Sequence, residues 1–274
     1  MYQDMTSPSW NPEQYLKFAA ERARPFADLI ARVPTARPRA IVDLGCGAGN
    51  VTRTLLDRWP DAHVLGVDRS PEMIAAAAQH ASERLAFTVG DLTTWQPAGP
   101  VDLIVSNAAL HWVPEHVDRF PMWIADLAPG GSLAFQVPAN ADRRAAAALD
   151  AITGSPRWSS FFRSVHRAGA LAENPDGVRT PDVYADILGN LGCAVDAWET
   201  TYLHVLPGDD PVVEWFRGSG LRPYLDALDP DLRSEFLAEV RAAFRDVFPR
   251  RAYGTVLPFR RIFVVAQVGD RLST

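Results

Sequence analysis

The stretch Ile41-Val42-Asp43-Leu44-Gly45-Cys46-Gly47-Ala48-Gly49 constrains this chain most: an apolar run of strand length ends on an acid, and three glycines then alternate. Glycine adopts φ values closed to other residues and has no side chain to hold a ligand away, so a bound molecule can lie against bare main chain. Val64-Leu65-Gly66-Val67-Asp68 then repeats the pattern of a buried strand ending in a carboxylate. Its place, about twenty residues on, is where a nucleoside-binding fold puts its ribose ligand.

The rest of the chain supports a globular α/β protein. Of 274 residues, 47% are hydrophobic and 22% charged, a mixture that buries a substantial core without disulfides. The net charge of -6 gives no global attraction to nucleic acid or anionic lipid, which need a cationic face. With only Cys46 and Cys193 there is neither a disulfide framework nor a metal quartet, and a reducing cytosol is the simplest compartment. The opening Met1-Tyr2-Gln3-Asp4-Met5 has no basic region leading into an apolar core, and no apolar run is long enough to span a bilayer.

From Ala40 to Val137, short β-branched runs alternate with amphipathic ones, the pattern of a parallel sheet flanked by helices. Strands are expected near 40–44, 63–67, 84–89, 101–106 and 131–137, with helices near 49–58, 71–80 and 115–127. Ser70 is placed to cap the second helix and Pro71 to occupy its first turn, while Gly130-Gly131 reads as the end of the third. Beyond Pro138 the segment 141–180 reads as an insertion over the sheet. A helix near 181–191, a strand over 193–203, helices within 211–248 and a last strand over 261–268 follow. One domain is expected: a cofactor-binding core over about 38–140, completed by strands near 193–203 and 261–268, under a helical cap from 1–30, 141–180 and 207–256.

Asp43, Asp68, Asp91 and Asn107 all fall at strand carboxyl ends, where such a sheet binds its ligands. A dinucleotide loop holds pyrophosphate, and Asp43 would repel that anion. A cationic nucleoside carrying an amino acid fits better: an acid beside the glycine loop faces its ammonium or sulfonium end, Asp68 accepts from ribose hydroxyls and Asp91 meets an adenine nitrogen. Read as structure alone, the same glycines make a tight turn and the same acids cap helices. Cys46 fills the loop in either case.

Taken together, Val42 to Gly49, Gly66-Val67-Asp68 and Gly90-Asp91-Leu92 resemble, in order and spacing, the motifs of class I S-adenosylmethionine-dependent methyltransferases. The resemblance implies a Rossmann-like, mostly parallel seven-stranded sheet whose last strand is antiparallel, with S-adenosylmethionine as cofactor. It further implies Asp68 on both ribose hydroxyls, Met73 against adenine, Asp91-Leu92 at the adenine edge, and Asp43, Gly45, Gly47 and Asn107 around the remainder. The flanks Trp10 to Tyr15, Phe18 to Pro25, Asn107 to Trp112, Gln136 to Asn140, Thr200 to His204, Gly220 to Tyr224 and Phe259 to Phe263 resemble the branch of that family that esterifies trans-aconitate. The chain departs from that branch at residues 1–8, around 143–180 and after Ala266.

A small tricarboxylate must be held by cations, and a guanidinium grips a carboxylate through two parallel hydrogen bonds. Arg222 and Arg261, in late apolar settings, and Arg24 are the candidates, although most arginines are solvated surface residues. Tyr15, Gln136, Asn140, Tyr202 and His204 are expected to supply polar contacts, and Trp10 an aromatic lid. Trp112 reads as a packed wall, while His111 stands open between a substrate contact and a satisfied loop histidine. A carboxylate is already ionised near neutral pH, so no general base is required; His111, Trp112 and Tyr202 are positioning residues at most. Alternatives are another small acid or a hydroxyl as acceptor, a non-catalytic S-adenosylmethionine-binding module, and a dehydrogenase, which Asp43 disfavours.

Overall fold

A computed structural model of the chain describes residues 19–113, 115–141, 143–163, 165, 177–217 and 220–269. Seven strands form one sheet: β1 (Ala40–Leu44), β2 (His63–Asp68), β3 (Leu85–Val89), β4 (Val101–Asn107), β5 (Leu127–Ala141), β6 (Cys193–Leu206) and β7 (Thr255–Val268). Their order is β3-β2-β1-β4-β5-β7-β6, with β7 alone running antiparallel to its neighbours. The chain winds outward from β1 through β2 to β3, then returns to β4 on the other side of β1. That reversal opens a crevice at the carboxyl tips of β1 and β4.

The inner strands are apolar because both faces are covered. Helix α1 (Ala19–Ala31) packs Phe26, Leu29 and Ile30 on one face, against Ile41, Val64, Leu103, Val105, Ala134 and Phe263. Residues 19–30, grouped with the cap on sequence, thus belong to the helical layer. The opposite face buries Val42, Leu44, Ile104, Phe135 and Val264 under α4 (Phe120–Ala125) and α6 (Pro181–Asn190). Between β1 and β2 the expected helix is delayed: a 3-10 turn over Thr52–Thr54 leads into α2 (Leu55–Arg58). Helix α3 (Pro71–Ala77) starts as the sequence predicts, with Ser70 Oγ accepting from Met73 N–H and Pro71 in the first turn.

A third cluster lies beyond the sheet. β6 and β7 stay paired to Leu206↔Thr255, whereas β5 accompanies β7 only to Ala141↔Phe259, so the β6–β7 ladder overhangs. Leu206, Leu257 and Phe259 from the overhang join α5 (Arg143–Thr153), α7 (Pro211–Arg217), α8 (Arg222–Asp226) and α9 (Pro230–Val247) around buried Trp158, Phe216 and Phe236. Each such ring contributes roughly 2–3 kcal/mol through burial.

Two expected boundaries move. Gly130-Gly131 does not end a helix: α4 stops at Ala125, and both glycines lie inside β5, which begins when Leu127 pairs with Val101. β7 begins at Thr255 rather than 261, so the helical excursion after β6 ends before that residue. Among the described residues, no helix is long and apolar enough to cross a membrane.

Candidate active site

The glycine loop closes the crevice on one side. Gly45 and Cys46 donate backbone N–H bonds to Val67 O, tying the loop to β2. Gly45 has φ of 77°, and a Cβ on it would stand 2.2 Å from the Ala109 Cβ. Only glycine therefore lets the loop after β4 approach so closely. At Gly47, φ is 55° and an added Cβ would meet nothing within 4 Å, so bare backbone faces open space.

Three acids stand at or just past the carboxyl ends of β1, β2 and β3. Asp68 Oδ2 accepts from Gly47 N–H at 3.0 Å and Oδ1 from Ser70 N–H at 2.9 Å, which fixes the carboxylate and leaves lone pairs for two hydroxyls. Asp91 Oδ1 accepts from the backbone and hydroxyl of Thr93; the backbone bond is the larger of the influences holding its carboxyl below the usual range. Asp43 is 1% exposed; its Oδ2 accepts from Thr52 Oγ1 at 2.6 Å, and its buried Oδ1 has no hydrogen-bond partner among the described residues. Burial pushes the Asp43 pKa up to about 7, opposed by the Thr52 hydrogen bond and aided by the charge of Asp68. An orphaned acceptor of this kind suits a cationic ligand, whose charge would return the group to its ionised form. Met73 and Leu92 are buried beside the acids as apolar walls.

A second group gathers beside the carboxyl end of β4, on β5 to β7. Gln136 is fully buried; its Nε2 donates to Asn107 Oδ1 at 2.6 Å, and its Oε1 accepts from Arg261 Nη1 at 2.9 Å. Arg261 is 3% exposed, and its guanidinium lies 4.9 Å from the centre of the Phe259 ring. Burial, with smaller contributions from Arg261 and His116, lowers the His111 pKa to about 3, so His111 is neutral near pH 7. Its ring stands 5.0 Å from Trp112, and its buried Nδ1 has no hydrogen-bond partner among the described residues. Next to Asn107, Ala108 takes φ of 54°, a strained value for alanine of the kind that collects at functional sites.

The structure links Arg24, Tyr202, His204, Arg261, Gln136 and Asn107 into one neighbourhood. Arg24 lies over the Tyr202 ring at 5.1 Å, and that ring stacks on His204 at 5.9 Å. The Tyr202 hydroxyl, expected as a free donor, instead donates to Asp28 of α1 at 2.6 Å. Arg222 sits in the cap, its Nε 3.3 Å from Asp226. Tyr15, Trp10 and the Asn140 side chain lie outside the described residues.

Two partners escaped the sequence reading. Thr52 is the hydroxyl that holds Asp43, and its signal is an oxygen on the first turn after the glycine loop. Asp28 is the acceptor for Tyr202; its signal is a place one helical turn after Arg24.

The fold and its acid-lined glycine loop define a nucleoside-type α/β enzyme, and residues 41–131 match a family model described as a methyltransferase domain. A trans-aconitate 2-methyltransferase of Streptomyces avermitilis is 51% identical over 266 residues, covering 94% of this chain and 97% of that protein. A protein of the same name from Streptomyces coelicolor is 49% identical, covering 96% of this chain and 88% of that protein. The chain belongs to the trans-aconitate 2-methyltransferase family. Among solved structures, a Haemonchus contortus phosphoethanolamine N-methyltransferase 2 complex superposes with a TM-score of 0.54 at 14% identity, over 90% of this chain and 53% of that one. That likeness concerns the fold alone.

Proposed function

We propose that the chain transfers a methyl group from S-adenosylmethionine to one carboxylate of trans-aconitate, releasing the monomethyl ester and S-adenosylhomocysteine. The observation that carries the reading is Arg261, buried on β7 and bonded to Gln136 beside the carboxyl end of β4, in a member of a family whose relatives are named for this acid. A buried positive charge is what a polyanionic acceptor needs and a neutral one does not.

The two groups of side chains divide the work. Asp43, Gly45, Gly47, Asp68, Met73, Asp91 and Leu92 line the donor's place, and Asn107 stands where it meets the acceptor's: Asp43 Oδ1 takes the donor's ammonium end, the Asp68 lone pairs its ribose, and Asp91 its base. When bound, the donor supplies an electrophilic methyl carbon on a sulfonium. A carboxylate oxygen attacks with a lone pair as the carbon–sulfur bond breaks and its electrons pass to sulfur. No proton moves. An anion and a cation become two neutral groups, so a dry site favours the step.

Arg261 is best placed for a carboxylate that does not react, since a guanidinium on the attacking oxygen would occupy the lone pair the reaction uses. Arg24 and His204 flank it. His111 and Trp112 wall the methyl's path, and His111 is too weak a base near neutral pH to take a proton. Arg222, on the cap, is a second cation for a distal carboxylate, while Tyr202 positions α1 through Asp28. A reducing cytosol suits the two free cysteines, Cys46 and Cys193.

Mass spectrometry of products from purified protein, S-adenosylmethionine and a panel of tricarboxylic and dicarboxylic acids tests the reading. A gain of one methylene on trans-aconitate above the other acids is expected; gain only on another acid, or on none, would overturn it.

A further inference from the structure

Arginine side chains have hydrogen-bond donors and no acceptor. The atom of Gln136 that faces Arg261 Nη1 is therefore its oxygen, which turns Gln136 Nε2 toward Asn107. That contact already has its donor, so the Asn107 atom receiving it is Oδ1. One permanent charge thus sets two amides that are otherwise free to flip. Asn107 Nδ2, with no partner among the described residues, is left for whatever fills the crevice. β4 pairs with β1 as far as Val105↔Asp43, and Asn107 follows two residues on, at the end of β4.

Resting on the reading above, we propose that Gln136 is a positioning residue that carries the polarity of Arg261 to Asn107, so that Asn107 meets the crevice as an N–H donor and takes a carboxylate oxygen. Gln136, expected from sequence to touch substrate, is sealed at 0% exposure and acts through its neighbour. The reversed amide would present a carbonyl oxygen, which repels a carboxylate and welcomes an amine. The relay thereby sorts acid acceptors from amine acceptors at a position the acceptor never contacts. Two carboxylates reach such a crevice, that of the acceptor and that on the amino-acid end of the donor, and the experiment separates them.

Gln136→Glu keeps the side chain's shape but has only acceptors when ionised. It receives Arg261 on one oxygen and the Asn107 amide N–H on the other, turning the Asn107 carbonyl outward. Gln136→Met removes the relay without reversing it. Steady-state kinetics with trans-aconitate, and calorimetry with S-adenosylhomocysteine and with 5′-methylthioadenosine, which lacks the amino acid, form the assay.

We expect the KM for trans-aconitate to rise about tenfold or more in Gln136→Glu and less in Gln136→Met, with kcat nearly unchanged. A packing role predicts the opposite order, since Glu is the closer match in shape. If S-adenosylhomocysteine affinity falls instead while 5′-methylthioadenosine binds as before, the relay serves the donor's carboxylate. If neither moves, or Met harms both more than Glu, the proposal is overturned. Asn107→Asp, at a partly exposed tip, removes the donor directly and decides the matter should the Gln136 variants not fold: it must weaken one of the two carboxylate ligands, and unchanged binding of both overturns the proposal. If the unmutated protein esterifies no acid, the functional reading fails by itself and the relay is judged on the S-adenosylhomocysteine arm.

Discussion

The two halves of the crevice are built from different materials. On the β1–β3 side, backbone does most of the shaping: Gly45 and Cys46 tie to Val67, Gly47 to Asp68, and Ser70 to the same carboxylate, within one stretch of chain. On the β5–β7 side, side chains meet across long separations, with Gln136 bonded to Arg261 125 residues away and Tyr202 to Asp28 174 residues away. A site made of main chain leaves a local signature in the sequence. One made of distant side chains does not.

That contrast can be broken most forcefully at Gly45. Gly45→Ala puts a Cβ into the Ala109 methyl at a φ that L residues avoid, so S-adenosylhomocysteine affinity measured by calorimetry is expected to fall by about two orders of magnitude, with a lower Tm. Retained affinity would mean that the loop is not a rigid cradle. Asp68→Ala removes the acceptor of Gly47 and Ser70 N–H along with the proposed ribose ligand. A loss of about thirtyfold to a hundredfold in donor affinity is expected, with the KM for the acid nearly unchanged.

Thr52→Val is a finer cut. It deletes the one bond that lowers the Asp43 pKa, which then climbs above its present value of about 7. Because the ionised form is the one that meets a cation, donor affinity should rise with pH through about 7 in the unmutated protein and reach a plateau above it. In the variant the rise moves to higher pH, leaving affinity at pH 7 weaker by about tenfold or less. An unchanged pH profile would remove Asp43 from the cationic end. Tyr202→Phe should be the mildest: loss of the bond to Asp28 lowers stability by about 1 kcal/mol and leaves kcat and KM within about twofold, since that hydroxyl is already committed. A large rise in KM would restore Tyr202 as a direct substrate contact.

The pH dependence of kcat offers a separate check on the base-free step. Burial holds His111 near about 3 and His116 near about 4, so both stay neutral from pH 6 to 8 and kcat should be flat there. A limb in that range would report a titrating group in the chemistry.

What the sequence disclosed follows the same division. β1 to β4, the glycine loop and the Ser70 cap were legible because each depends on residues a few positions apart. The start of β5 was not: Pro129-Gly130-Gly131 carries the composition of a helix stop, and only the Leu127↔Val101 pair makes it strand. The first part of β7 was hidden by Pro258, which lacks the N–H a ladder uses yet sits opposite Leu203 in a long antiparallel pairing. Arg261 and Gln136 were legible as polar candidates, but their mutual bond exists only once β5 and β7 lie side by side. The residues were visible and the bond between them was not.

In the proposed reading, donor and acceptor are held by separable halves, the acceptor by the buried Arg261 guanidinium. Arg261→Lys tests it most directly, because it keeps the charge and loses the fork. Measured side by side, the KM for trans-aconitate should rise about tenfold or more while the Kd for S-adenosylhomocysteine stays within about twofold. An unchanged KM, or a Kd that shifts as far as the KM does, would contradict it.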